Sequence, residues 1–311
     1  MTSNAIIQAP VLLIGYNRPE LLIKRINELI CTSVQDIYIS IDGKPSEENK
    51  EVIKYVKLLE KTANKNIVIQ QQGERLGLAA HITSSITKVF KNYEHIIVLE
   101  DDIVISPNFY TNMINGFKIQ KTTGIKGTVG GFSALSRYDK GFQLRKNKWR
   151  VTKYFSCWGW GCSSEVWADY ELDLNRVSVK HDLLKSHTWQ SLSSFQKNLW
   201  ENRFKKIQSN PFFTWDIQFQ FLSFKENFEN LLPVFRFIDN EGFNDIRATH
   251  TKETKPRWML SSKIDNSQIL APSIGWKSNI FEKLIDSNTI AGDTRILSYW
   301  NNIKKSVHVK S

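Results

Sequence analysis

Strand-like and helix-like segments alternate through the first 130 residues, and that alternation leaves few folds open. Five short runs rich in β-branched residues, at positions 11–15, 37–41, 67–71, 95–99 and 127–133, are separated by stretches of helical periodicity. Such a repeat buries its apolar faces by forming a parallel sheet covered with helices. Between the first two runs Leu22, Ile26, Leu29 and Ile30 recur at i, i+4, i+7 and i+8, with Asn17 and Pro19 as cap and first-turn residues. Pro45 with Ser46 opens a second helix, and positions 78–90 and 107–121 read as a third and a fourth. The first half is a Rossmann-like βα repeat.

Beyond residue 140 the composition shifts. All ten Trp lie at or after Trp149, and positions 140–153 hold six basic residues and no acid. An aromatic and glycine cluster follows, Phe155-Ser156-Cys157-Trp158-Gly159-Trp160-Gly161, then helical patterns at 164–170, 186–208 and 215–225 and an apolar strand at 231–237. No linker-like stretch separates the halves, so one body with two lobes is expected. Its parts are 1–140, 141–259 and a C-terminal extension, 260–311. With 311 residues, 41% hydrophobic and 23% charged, the chain has a globular composition, not a disordered or collagenous one.

Cys31, Cys157 and Cys162 make neither an even disulfide framework nor a four-ligand zinc site, which fits a reducing compartment. The first ten residues lack the basic and apolar regions of a signal peptide, and no run approaches the ~18 apolar residues of a membrane span. A cytoplasmic protein is therefore expected. The net charge of +11 suits nucleic acid, an anionic membrane face or a phosphorylated substrate, and does not choose among them.

The chemistry-bearing residues cluster at strand ends. The first strand runs into Gly15-Tyr16-Asn17-Arg18-Pro19, which is not the dinucleotide fingerprint, yet places Arg18 where open parallel sheets bind nucleotides. Asp42 ends the second strand; it suits a base N–H or a ribose hydroxyl, and equally an ordinary turn. Glu100-Asp101-Asp102 ends the apolar run Ile96-Ile97-Val98-Leu99. Three adjoining carboxylates in such a setting repel and lose solvation unless cations compensate them, and Mg²⁺ or Mn²⁺ bridging to substrate phosphates does so. Asp216 opens a helix among aromatics and fits either a helix-dipole partner or a general base. Trp158, Trp160 and Trp215 suit stacking on a pyranose face or simply a core. His81 reads as a structural helix residue, Cys157 and Cys162 as packing, and His250 as a metal or diphosphate contact or a surface side chain.

Taken in order, these pieces resemble glycosyltransferases of the GT-A fold. The likeness runs through Tyr16-Asn-Arg-Pro-Glu-Leu, Ile39-Ser-Ile-Asp-Gly, Arg75-Leu-Gly-Leu-Ala-Ala and Val98-Leu-Glu-Asp-Asp-Ile-Val-Ile-Ser-Pro-Asn-Phe-Tyr. It continues through Cys157-Trp-Gly-Trp-Gly, Trp215-Asp-Ile-Gln-Phe-Gln, Asn240-Glu-Gly-Phe and Ala248-Thr-His-Thr, about residues 10–252 in all. It is nearest to the N-acetylglucosaminyltransferases that initiate complex N-glycan branching and to bacterial transferases of surface polysaccharide. The resemblance implies an α/β GT-A domain with a mostly parallel central sheet and an aromatic-rich acceptor side. It further implies that Arg18 and Asp42 hold the nucleoside of a UDP-sugar, that Glu100 and Asp101 face donor sugar and ribose, and that Asp102 binds Mn²⁺ or Mg²⁺. His250 would be a further metal contact, and Asp216 the base of an inverting transfer.

Two other readings compete. A basic nucleic-acid-binding protein accounts for the charge but leaves the three carboxylates unexplained. A sugar nucleotidyltransferase needs a Gly-rich, basic first loop that residues 15–19 do not provide. Within the transferase reading, Ile296, Trp300 and Ile303 share a helical face with lysines beyond it, compatible with an anionic membrane surface and a glycan or polyprenyl-diphosphate-linked acceptor.

Overall fold

The computed structural model describes residues 7–44, 46–133, 148–243, 245–247, 254–255, 259 and 263–269. Four parallel strands, β1 (Val11–Gly15), β2 (Asp36–Ile41), β3 (Asn66–Gln71) and β4 (His95–Glu100), lie in the order β3-β2-β1-β4. Helices α1 (Pro19–Ile30), α2 (Glu47–Leu59) and α3 (Leu78–Val89) connect them. Every residue of β1 is buried, because helices cover both faces. Side chains alternate across the sheet. Val11 and Leu13 join Ile97 and Leu99 in a core under α1, whereas Leu12 and Ile14 join Ile96 and Val98 in a core under α3. The local signals act where expected: Pro19 opens α1, and the Ser46 side chain accepts from the Asn49 amide to cap α2.

The sheet continues across the compositional shift. After the short strand β5 (Ile103–Ile105) and α4 (Phe109–Thr123) come β6 (Val129–Gly130), β7 (Trp149–Thr152), β8 (Trp160–Ser163) and β9 (Asn230–Pro233), in the order β4-β8-β6-β9-β7. Four of the seven pairings in this eight-stranded sheet are parallel, and β8 runs antiparallel to both β4 and β6. The fold is thus α/β with a mostly parallel central sheet. Part of the Trp-Gly cluster is β8, in mid-sheet.

Three expected elements differ. The helix expected at 186–208 is two, α7 (His187–Gln190) and α8 (Ser194–Ser209), because Ser193 and Gln196 form a capping box that starts a new helix. These follow α5 (Ser164–Trp167) and α6 (Val179–Leu184) and precede α9 (Asp216–Lys225). The strand expected at 127–133 shortens to β6. The one expected at 231–237 ends at Pro233, and the chain resumes as β10 (Ile238–Asn240), paired antiparallel with β5 in a separate ribbon. Helices α6 to α9 enclose a third core of Trp189, Trp200, Phe204, Phe221 and Phe224.

Candidate active site

Register brings the strand ends together. Gly15 pairs with Ile41 and Ile14 with Glu100, so the residues that follow β1, β2 and β4 emerge at one edge of the sheet. They line a cleft together with Asp216, at the start of α9. Arg18, Asp42, Glu100, Asp101, Asp102, Trp158, Trp215 and Asp216 all border this cleft. His250, residues 134–147 and the segment with Ile296, Trp300 and Ile303 lie outside the described residues.

Arg18 dominates the acidic side. Its Nε donates to Asp101 Oδ2 at 3.2 Å, and Nη2 donates to Asp101 Oδ1 and, at 3.2 Å, to Asp102 Oδ2. Asp101 and Asp102 are 3% and 7% exposed, so this is an ion pair largely removed from water. Burial pushes the Glu100 carboxyl up to about 8, and the charges of Asp102, Asp101 and Asp216 add to that shift while Arg18 opposes it. Burial likewise raises Asp101 to about 7 against the pull of Arg18, and raises Asp102 for the same reason. One guanidinium does not compensate three ionised carboxylates.

Among the described residues no group of three or more His, Cys, Asp or Glu side chains could hold a metal by itself. The donor set instead fits a hard divalent cation held by one or two carboxylates and completed by phosphate oxygens. The buried Arg18 Nη1 has no hydrogen-bond partner and borders the same cleft, where a phosphate oxygen would satisfy it.

Asp42 holds backbone as well as facing the cleft. Its carboxylate accepts from the amides of Gly43 (2.9 Å), Leu76 (2.8 Å) and Gly77 (3.0 Å). Gly77 has φ +80°, which favours glycine and turns its N–H toward Asp42 at the start of α3. Acceptor capacity remains on Oδ2 for one ligand donor. Beneath it His81, 2% exposed, bonds Ser40 Oγ at 2.8 Å, and Ser40 Oγ lies 2.9 Å from Ser85 Oγ. His81 is thus buried and bonded within the fold, and it also borders the cleft. Burial lowers its pKa, so the neutral imidazole is favoured.

The tryptophans divide. Trp158 is half-buried at the cleft wall, edge-on to Phe132 at 5.0 Å. Trp215 is 3% exposed, and its carbonyl accepts from Tyr170 Oη at 3.0 Å. Trp160 corrects the stacking expectation. It is 0% exposed in β8, 5.0 Å from Phe155 and stacked at 5.3 Å beneath Trp215, so no sugar reaches its face. Thr214 Oγ1 donates to Asp216 Oδ1, orienting that carboxylate. Cys157 and Cys162 are free, and burial holds both thiols protonated.

Other residues in or near the cleft carried no assigned role in the sequence. Arg75 lies over the Tyr16 ring at 4.7 Å, and Arg247, paired with Asp245 and Glu20, also borders the cleft. The Glu241 amide donates to the Asp102 carbonyl at 2.9 Å, while its side chain meets Lys24 and the fully buried Arg25 at 2.6 and 3.0 Å. Only the apolar positions flanking Arg25 in α1 hinted that its face is buried.

The family model described as the GNT-I family matches residues 2–176, more than half of the chain. This chain belongs to the GNT-I family. It is the family to which the resemblance of its motifs pointed. No curated protein matches the chain in sequence. Among solved structures, it is similar to the mannosyltransferase PcManGT from Pyrobaculum calidifontis, in complex with GDP-Man and Mn²⁺, at 14% identity and TM-score 0.38, over 55% of this chain and 46% of that one. It is similar to S. aureus TarS at 11% identity and TM-score 0.37, over 53% and 30%. A UDP-glucose pyrophosphorylase complexed with UDP-glucose matches at 6% identity and TM-score 0.38, over 74% and 91%. The chain thus spans less than half the length of the first two.

Proposed function

We propose that this protein is a metal-dependent inverting glycosyltransferase. It moves a hexose or N-acetylhexosamine from a UDP-sugar to a hydroxyl of a glycan or lipid-linked glycan in surface polysaccharide synthesis. It works in the cytoplasm, at the inner face of the cytoplasmic membrane. The observation that carries this reading is the meeting of Arg18, Asp42, Glu100, Asp101 and Asp102 from three strand ends with Asp216 across one cleft. GDP-Man and Mn²⁺ bound to the mannosyltransferase and UDP-glucose bound to the pyrophosphorylase are attributes of those proteins.

In this reading Arg18 and Asp42 hold the nucleoside, and Asp102 holds Mn²⁺ or Mg²⁺. Glu100 and Asp101 face the sugar and ribose. When bound, the cation neutralises charge developing on the departing diphosphate. Asp216 takes the proton of the acceptor hydroxyl as that oxygen attacks the anomeric carbon, and Thr214 keeps one of its oxygens oriented. Trp158 and Trp215 wall the sugar side. A panel of nucleotide sugars, assayed for Mn²⁺-dependent nucleotide release with and without acceptor glycans, tests this. One UDP-sugar should be consumed with inversion. Release from none, or release unaffected by chelation, overturns the reading.

A further inference from the structure

Asp102 stands where the main sheet gives way to the small ribbon. It immediately precedes β5, and Glu241 immediately follows β10, whose Asn240 pairs with Ile103. The Glu241 amide donates to the Asp102 carbonyl at 2.9 Å and so extends that ladder by one bond, to the carboxylate-bearing residue. With three residues in each strand, the ribbon is the kind of two-stranded piece that is marginal by itself. Its end frays unless something outside the ladder holds it.

Helix α1 supplies that hold. Arg25 is fully buried on the face that also buries Leu22, Ile26 and Leu29. Its Nη2 donates to Glu241 Oε1 at 3.0 Å and lies 2.9 Å from Glu28 Oε1, and Glu28 Oε2 in turn accepts from the Ile105 amide at 3.3 Å. One guanidinium therefore ties both ends of the 102–105 stretch, Asp102 through Glu241 and Ile105 through Glu28. The same helix starts just after Arg18, which holds the side chains of Asp101 and Asp102. Lys24 also reaches Glu241, at 2.6 Å, but it is half exposed, where an ion pair contributes little. Packing alone does not call for an arginine at position 25. Its Nε and Nη1 have no hydrogen-bond partner, and apolar side chains in place of a buried ion pair are often as stable or more so.

We propose that Arg25 and Glu241 are positioning residues for the divalent cation: together they fix the backbone that presents Asp102, so that its carboxylate meets the cation without rearrangement. This rests on the reading of Asp102 as the metal ligand. A ligand already held in place loses less conformational freedom on binding than one that must first be ordered. The rival account is charge alone. Burial raises the Asp102 pKa, and the Glu241 carboxylate is near enough to add to that shift, so its charge also attracts a cation. Two substitutions separate the accounts. Glu241→Gln removes the charge but keeps an oxygen for Arg25, and Glu241→Ala removes both.

The test is Mn²⁺ binding at saturating UDP, read from loss of the free-ion EPR signal, alongside calorimetry of UDP without metal. Glu241→Ala should weaken Mn²⁺ binding ~10–100-fold, the usual effect of removing a support behind a metal ligand. Glu241→Gln should stay within about threefold of the unmodified protein, since a neutral acceptor still meets Arg25. Lys24→Gln should leave Mn²⁺ binding unchanged, and UDP without metal should bind all three variants equally. Arg25→Met should match Glu241→Ala, and the double variant should lose no more than either, because both remove one anchor. If Arg25→Met unfolds, the variants at the partly exposed positions 24 and 241 still decide. Equal loss in Glu241→Gln and Glu241→Ala assigns the effect to charge and overturns the proposal. So does unchanged Mn²⁺ binding in Glu241→Ala, or a fall in metal-free UDP binding as large as the fall for Mn²⁺. If the unmodified protein binds UDP but no Mn²⁺, the metal reading itself fails, and this is seen before any variant is made.

Discussion

Arg18, Asp101 and Asp102 are adjacent in space because β1 and β4 pair, and the chemistry of the site follows from their unequal charge. Glu100 moves from its ordinary value of 4.5 to about 8, so between these values the folded protein holds a proton that the unfolded chain has released. The stabilisation linked to that proton is complete below about pH 4 and is lost as pH rises through 8. In urea unfolding without divalent cation, the unmodified protein should therefore lose stability relative to Glu100→Gln from pH 5 to pH 8. A difference that is flat or rises with pH would contradict the burial of that carboxyl. In the same cleft, Asp216→Asn keeps the shape and removes the proposed base. Steady-state transfer should show kcat lower by at least about 100-fold, with donor KM little changed. Asp42 carries a lesson at the same scale. Its sequence context allowed a turn or a ligand contact, and its carboxylate makes the turn while still facing the cleft.

At the scale of elements, β8 decides how the two halves meet. It lies between β4 and β6, and a Cβ on Gly161 would come within 2.4 Å of the Ile96 carbonyl and 2.8 Å of the Phe117 ring. Backbone on one side and a packed ring on the other leave no room to yield. Gly161→Ala should cost about 1–3 kcal/mol in urea unfolding. It should also reduce donor affinity, because β4 ends in the carboxylates. A neutral effect would mean that β8 does not hold β4 in this way. The strands β1 and β4 were legible because both of their faces are covered, which makes them almost continuously apolar, and β2 and β3 because of their runs of isoleucine and valine. β8 was not, since Trp160-Gly161-Cys162-Ser163 lacks both a β-branched run and clean alternation, and only its neighbours make it a strand.

For the whole molecule, two walls of one cleft come from opposite halves of the chain, so ligand that bridges them should stabilise the assembly. UDP with Mn²⁺ at ~100 times Kd adds about 2.7 kcal/mol by mass action, roughly 4 °C in Tm for a chain of this length. Asp102→Asn should abolish the metal-dependent part of that shift in a thermal melt, and an unchanged shift would remove Asp102 from the metal site. Among the described residues no helix is long and apolar enough to cross a membrane. What the sequence determined by itself is whatever depends on near neighbours: the βα repeat, the helix starts at Pro19 and Ser46, and carboxylates at strand ends. Periodicity and capping act over a few residues and are visible in one dimension. Only the tertiary structure decided that Arg18 holds Asp101 and Asp102, that Glu241 supports Asp102 from the loop after β10, and that Trp160 is core whereas Trp158 is wall. Those facts join residues far apart in the chain, and strand pairing and burial create them.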